Sequence, residues 1–114
     1  MAIFAIDLDG TIWKEEYPGI GPIIPEAVEA LREIKKLGHT IIIWTCRQGK
    51  LLEEAIDYLK RYNIPFDYVN ENVPEKIALY KNDCRKIGAN YFVDDRNIGD
   101  WSWNDVLEVA RNNK

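Results

Sequence analysis

The chain has 114 residues, and its 15 Lys and Arg against 19 Asp and Glu give a formal net charge of −4. Hydrophobic residues make up 46% and charged residues 30%, which excludes a disordered tail and fits one small globular domain over residues 1–114. The acidic balance argues against a groove for nucleic-acid phosphates, and no apolar run reaches the roughly 18 residues of a membrane span. Residues 1–7 lack the basic start of a signal peptide, and Cys46 and Cys84 make no disulfide framework, so the expected setting is the cytoplasm with reduced thiols.

Apolar runs of strand length alternate with stretches of helical period, the pattern of an α/β domain with a parallel sheet. Residues 2–7 predict a first strand covered on both faces. Residues 25–37 predict a helix, with Pro25 at its first position, Val28, Leu31 and Ile34 as its stripe and Gly38 as its stop; His39, in that stop, is expected to be exposed. A second strand follows at 40–45 and a second helix at 50–62, with Leu52, Ile56 and Leu59 on one face. A third strand is expected at 66–69, a short helix at 75–80 and a fourth strand at 91–94. The last helix, 102–111, opens with Ser102 and Asp105 in the spacing of a capping box. Four parallel strands joined by right-handed crossovers predict a small doubly wound sheet of order 3-2-1-4, whose ligands bind at the carboxyl ends of the strands where the chain reverses direction.

Three segments stand at those ends. After strand 1 comes Asp7-Leu8-Asp9-Gly10-Thr11; residues two apart in an extended segment face one side, so Asp7 and Asp9 are expected to share a space beside a turn at Gly10. After strand 4 come Asp94 and Asp95, placed to add a third carboxylate. At about 4 Å and an effective dielectric near 20, one like-charged pair costs about 4 kcal/mol, so the group needs a proton or a cation. Oxygen-only ligands with room left for water and substrate oxygens suit Mg²⁺. After strand 2, Thr45-Cys46-Arg47 precedes a helix, where a hydroxyl, free N–H groups and the planar fork of Arg47 could receive a phosphate. Cys46 has no base partner and is read as a bystander on the lining.

With these residues in place, the sequence resembles the haloacid dehalogenase-like hydrolases. The resemblance rests on Asp7-Leu8-Asp9-Gly10-Thr11 behind an apolar strand, on Thr45 ending Ile41-Ile42-Ile43-Trp44-Thr45, and on the acidic pair ending Tyr91-Phe92-Val93-Asp94-Asp95. It covers essentially the whole chain. Longer runs, through Arg85-Lys86-Ile87 and Asp94-Asp95-Arg96-Asn97, look like a narrower group of small bacterial and phage members. The resemblance implies a Mg²⁺-dependent phosphatase with Asp7 as nucleophile and Asp9 as general acid and then base, its backbone carbonyl also on the metal. Asp94 would ligate the metal directly and Asp95 through water, and Thr45 would bind the transferring phosphoryl group. Gly10, Thr11, Cys46 and Arg47 would line the substrate site. A lysine should join nucleophile and phosphate: strand geometry favours Lys76, the narrower resemblance favours Lys86, and Lys81 trails both.

The insertion points at 12–24 and 70–90 are too short for a cap domain. The pocket is therefore expected to be open unless residues 13–21 or a neighbouring subunit of a homo-oligomer cover it. A phosphorylated sugar, nucleotide, polymer end or protein would all fit. Two alternatives stand beside the phosphatase: a phospho-receiver signalling module, which calls for a phosphorylated Asp after strand 3, and a binding protein on an idle hydrolase-like fold.

Overall fold

The computed structural model describes residues 1–113. In chain order it holds β1 (Ile3–Ile6), α1 (Pro25–Lys36), β2 (Thr40–Ile43), α2 (Gly49–Arg61), β3 (Tyr68–Val69), α3 (Pro74–Tyr80), β4 (Tyr91–Val93) and α4 (Trp103–Asn112). The four strands form one parallel sheet of order β3-β2-β1-β4, with no separate cap domain among the described residues. Ile6 pairs with Ile43 on one side and Val93 on the other, so the tips of β1, β2 and β4 lie level.

Side-chain alternation along the strands divides the core in two. Phe4, Ile6, Ile41 and Ile43 face a large cluster with Ala27, Ala30, Leu31 and Ile34 of α1, Ala55 and Leu59 of α2, and Trp103, Val106 and Ala110 of α4. Ile3, Ala5 and Ile42 face a smaller cluster closed by Val73 and Ile87. Each fully buried Ile, Leu or Phe contributes about 1.5–3 kcal/mol, which makes the first face the anchor of the fold. Both faces are covered, as the continuously apolar β1 and β2 require.

Helix ends follow their expected chemistry. Pro25 and Pro74 stand in the first turns of α1 and α3. Ser102 Oγ accepts from Asp105 N while Asp105 Oδ2 accepts from Ser102 N, a complete capping box opening α4. The third strand is shorter than the expected 66–69. Asp67 Oδ2 accepts the Ile41 N–H at 2.8 Å, so a side chain does what a strand carbonyl would have done, and pairing begins at Tyr68.

His39 corrects an expectation. It is fully buried rather than exposed. Its Nδ1 accepts from Ala2 N at 2.9 Å and its Nε2 meets Ala110 O at 2.8 Å. One ring nitrogen must therefore accept and the other donate, which fixes the neutral Nε2–H tautomer. The ring ties the start of β1 to the end of α4, and Phe4 packs edge-on against it. No helix among the described residues is long and apolar enough to cross a membrane.

Candidate active site

The level strand tips bring the expected segments together. Asp7 N donates to Val93 O at 2.9 Å and Trp44 N to Ile6 O at 2.9 Å, extending the ladders one residue past each strand. Asp7 thus emerges beside Asp94, and Thr45 leaves the neighbouring tip. Thr45 N donates to Oδ1 of Asn70, a residue at φ 52° just past β3, at 2.8 Å. Asn70 fixes the end of β2 and was not singled out from the sequence; an Asn in the left-handed region at a strand end was the available signal.

Three carboxylates converge. Oxygens of Asp7, Asp94 and Asp95 all lie within 4.8 Å of one another. Asp7 Oδ2 accepts from the buried Thr11 hydroxyl at 3.1 Å. Asp94 Oδ1 accepts from Arg96 N, and the Asp94 carbonyl accepts from Asn97 and from Trp101 Nε1, which fixes the loop after β4. Gly10, at φ 88°, lies directly under the Asp95 carboxylate, where a Cβ would collide with it. Burial first, and then the Asp94 charge, push the Asp7 carboxyl up to about 7, against the Thr11 hydrogen bond, with Asp95 adding to the rise. A cation bound beside the three carboxylates would favour the ionised form.

Asp9 is not the third member of this group. Leu8 O accepts from Thr11 N and Ile12 N, so the chain coils into a turn directly after Asp7 and the two-residue periodicity of a strand no longer applies. The Asp9 carboxylate turns to Arg47, whose Nε and Nη2 reach Oδ2 and Oδ1, both at 2.8 Å, and also accepts from Trp13 Nε1 at 2.8 Å. Burial would raise the pKa of Asp9. The Arg47 hydrogen bonds, the Trp13 N–H and the Arg47 charge outweigh it, and the carboxyl sits below its ordinary range. The Asp9 side chain is thus held off the three-acid group, although it lines the same cleft.

That cleft has a volume of about 420 Å³ and is lined by Asp7, Asp94 and Asp95 together with Thr45, Cys46 and Arg47. Glu15, Tyr17 and Arg96 complete the lining, and all three are exposed. The segment 12–24 folds back along itself, Lys14 N donating to Pro22 O and Ile24 N to Ile12 O. Arg47, expected to offer its fork to phosphate, is buried and directed at Asp9 instead. Cys46 is an exposed free thiol on the lining of the same cleft.

Lys76 and Lys86 are absent from this lining. They share a separate hollow of about 200 Å³ with Asn72, Cys84 and Gly88. Asn72 organises that hollow: its Nδ2 donates to Asp83 and its Oδ1 accepts the Gly88 N–H.

Comparison with known proteins agrees with this geometry. The model of a family described as haloacid dehalogenase-like hydrolase matches residues 4–95, which carry all three motif segments. The chain belongs to the haloacid dehalogenase-like hydrolases. A solved structure of a conserved protein from Bacteroides thetaiotaomicron is 37% identical, covers 99% of this chain and 92% of its own, and superposes with a TM-score of 0.86. No curated protein matches. Hydrolysis through an aspartyl-phosphate is the chemistry of this hydrolase family at large.

Proposed function

We propose that the protein is a Mg²⁺-dependent phosphatase that hydrolyses phosphomonoesters through an aspartyl-phosphate on Asp7. The observation that carries the reading is the convergence of Asp7, Asp94 and Asp95 at the tips of β1 and β4, with Thr45 on the adjacent tip of β2. Three carboxylates so close repel one another, and oxygen-only donors suit a hard divalent ion. Held by Asp7, Asp94 and Asp95, Mg²⁺ would neutralise that repulsion and the charge of an incoming phosphate.

In the first half-reaction an Asp7 carboxylate oxygen attacks phosphorus, the bond to the leaving oxygen breaks, and that oxygen takes a proton from Asp9 or departs as an anion. The Thr45 hydroxyl and the free N–H groups leading into α2 receive the phosphoryl oxygens. In the second half-reaction Asp9 takes a proton from water as its oxygen attacks phosphorus. The bond to Asp7 breaks, releasing inorganic phosphate and restoring the carboxylate. Asp9, held ionised by Arg47, is prepared for this second step. Its protonated form is the minority species, so phosphates whose leaving group departs readily should be the better substrates.

A receiver module is not favoured, because β3 is followed by Asn70, whose side chain holds the Thr45 N–H. The test is phosphate release from aryl phosphates, sugar phosphates, nucleotides and phosphopeptides, with and without Mg²⁺, by the wild type and by Asp7→Asn. Mg²⁺-dependent release that the substitution abolishes is the expected result. Release that survives the substitution would contradict the assignment of the nucleophile.

A further inference from the structure

Arg47 leaves the tip of β2 with its own N–H donated to Thr45 Oγ1 at 3.1 Å, and the residue is 2% exposed. A guanidinium has five N–H donors, and here every one has a protein acceptor. Nε reaches Asp9 Oδ2 and one Nη2 hydrogen reaches Asp9 Oδ1. The other Nη2 hydrogen reaches Gly19 O at 2.7 Å, while Nη1 reaches Pro18 O at 3.2 Å and Leu51 O at 3.5 Å. No donor is left for a phosphate oxygen unless one of these bonds breaks. The acceptors come from three places: the turn after β1, the loop at 18–19 and the first turns of α2. The Tyr17 ring lies over the guanidinium, 5.2 Å from centroid to Cζ, and Tyr17 lines the cleft while remaining 53% exposed.

We infer that Arg47 is a positioning residue: it fastens residues 17–19 to Asp9 and α2, so that Tyr17 stands as a fixed aromatic wall on the leaving-group side of the cleft. The inference rests on the phosphatase reading for the direction of the leaving group, and on the hydrogen bonds alone for the fastening. In the proposed reaction the leaving oxygen departs past Asp9, whose carboxylate meets the edge of the Arg47 guanidinium while the Tyr17 ring lies over its face. The described residues hold no cap domain to close over a substrate, and a Tyr held over Arg47 supplies an apolar surface in its place. Its free face suits a leaving group that presents a ring, a sugar or an aryl group, over an acyclic one. Arg47 thereby acts on selectivity without touching phosphate.

Two measurements on the full chain test this, with wild type, Arg47→Gln, Arg47→Lys and Tyr17→Ala. The first is amide hydrogen exchange read by mass spectrometry. Residues 14–21 should exchange at least about 10-fold faster in both Arg47 variants and little faster in Tyr17→Ala, which keeps every guanidinium bond. The second compares kcat/KM for phenyl phosphate and glycerol phosphate with Mg²⁺, together with inhibition by inorganic phosphate. The ratio of the two kcat/KM values should fall about 10-fold in Arg47→Gln and in Tyr17→Ala. The phosphate inhibition constant should stay within about twofold, and Arg47→Lys, which cannot fork, should not restore the ratio.

Unchanged exchange at 14–21 in folded Arg47→Gln or Arg47→Lys would overturn the fastening. Phosphate inhibition that weakens in step with kcat/KM, with rescue by Arg47→Lys, would make Arg47 a phosphate ligand and overturn the inference as well. Should the wild type release no phosphate from either ester, the phosphatase reading fails, and the exchange measurement still decides whether Arg47 holds the loop. Should the Arg47 variants not fold, Tyr17→Ala decides the wall through the substrate ratio.

Discussion

Asp7 and Asp9 stand two residues apart on one turn, yet they occupy opposite electrostatic situations. Asp7 faces Asp94 and Asp95 and has one hydroxyl donor, and its carboxyl is pushed up to about 7 by burial and by the neighbouring acids. Asp9 meets a bidentate guanidinium and an indole N–H, and its carboxyl is held below the ordinary range. The first arrangement calls for a proton or a cation, and the second is compensated by its own protein partners. The difference shows that a carboxylate's role in such a cleft is set by who compensates its charge. Sequence spacing alone does not set it.

The largest expected effect lies at two lysines. The phosphate is expected to need one cationic side chain from outside the acid cluster, and Lys76 and Lys86 share a separate hollow. Lys76→Ala and Lys86→Ala, assayed side by side for kcat, should differ, with the larger loss about 10²-fold or more. Equal retention by both would mean that neither reaches the phosphoryl group.

A smaller effect separates the two acid environments directly. Asp94→Asn and Gly10→Ala, the latter forcing the Asp95 carboxylate aside, should each weaken Mg²⁺ binding about 10–100-fold in a calorimetric titration. Asp9→Asn should leave that affinity nearly unchanged. An Asp9 variant that binds Mg²⁺ as poorly as Asp94→Asn would erase the distinction.

The smallest effect is on stability in metal-free solution. The folded-state pKa of Asp7 is raised from 3.8 to about 7, so its contribution is fully present below about pH 4 and is lost as the pH rises through about 7. Asp7→Asn cannot ionise. It should therefore be more stable than the metal-free wild type at pH 8, by about 1–2 kcal/mol after discounting for solvent screening, and no more stable at pH 4. Thermal unfolding at the two pH values reads this, and Mg²⁺ should remove the advantage by stabilising the wild type.

The sheet order and the meeting of Asp7 with Asp94 and Asp95 were legible in the sequence. Both follow from continuous apolar strands and from which residue comes next at each tip. The direction of the Asp9 side chain was not legible, because it depends on Arg47, 38 residues away, and on a turn that ends the extended geometry at Leu8. Trp13 stands one helical turn beyond Asp9, a spacing that allowed its indole to reach back, whereas Tyr17 lies in a loop with no periodicity to place it. His39 was read as exposed from the turn around it, but the carbonyl that buries it comes from Ala110, 71 residues further on. Long-range partners decide such polar positions, and a single sequence does not pair them.

As the proposed nucleophile, Asp7 should become covalently phosphorylated during turnover. Borohydride reduction of the protein during turnover of an aryl phosphate with Mg²⁺ converts an aspartyl-phosphate to homoserine, which peptide mass spectrometry locates. Homoserine is expected at position 7 alone, dependent on Mg²⁺ and lost in Asp7→Asn. Homoserine at position 9, 94 or 95, or steady turnover with none at position 7, would contradict it.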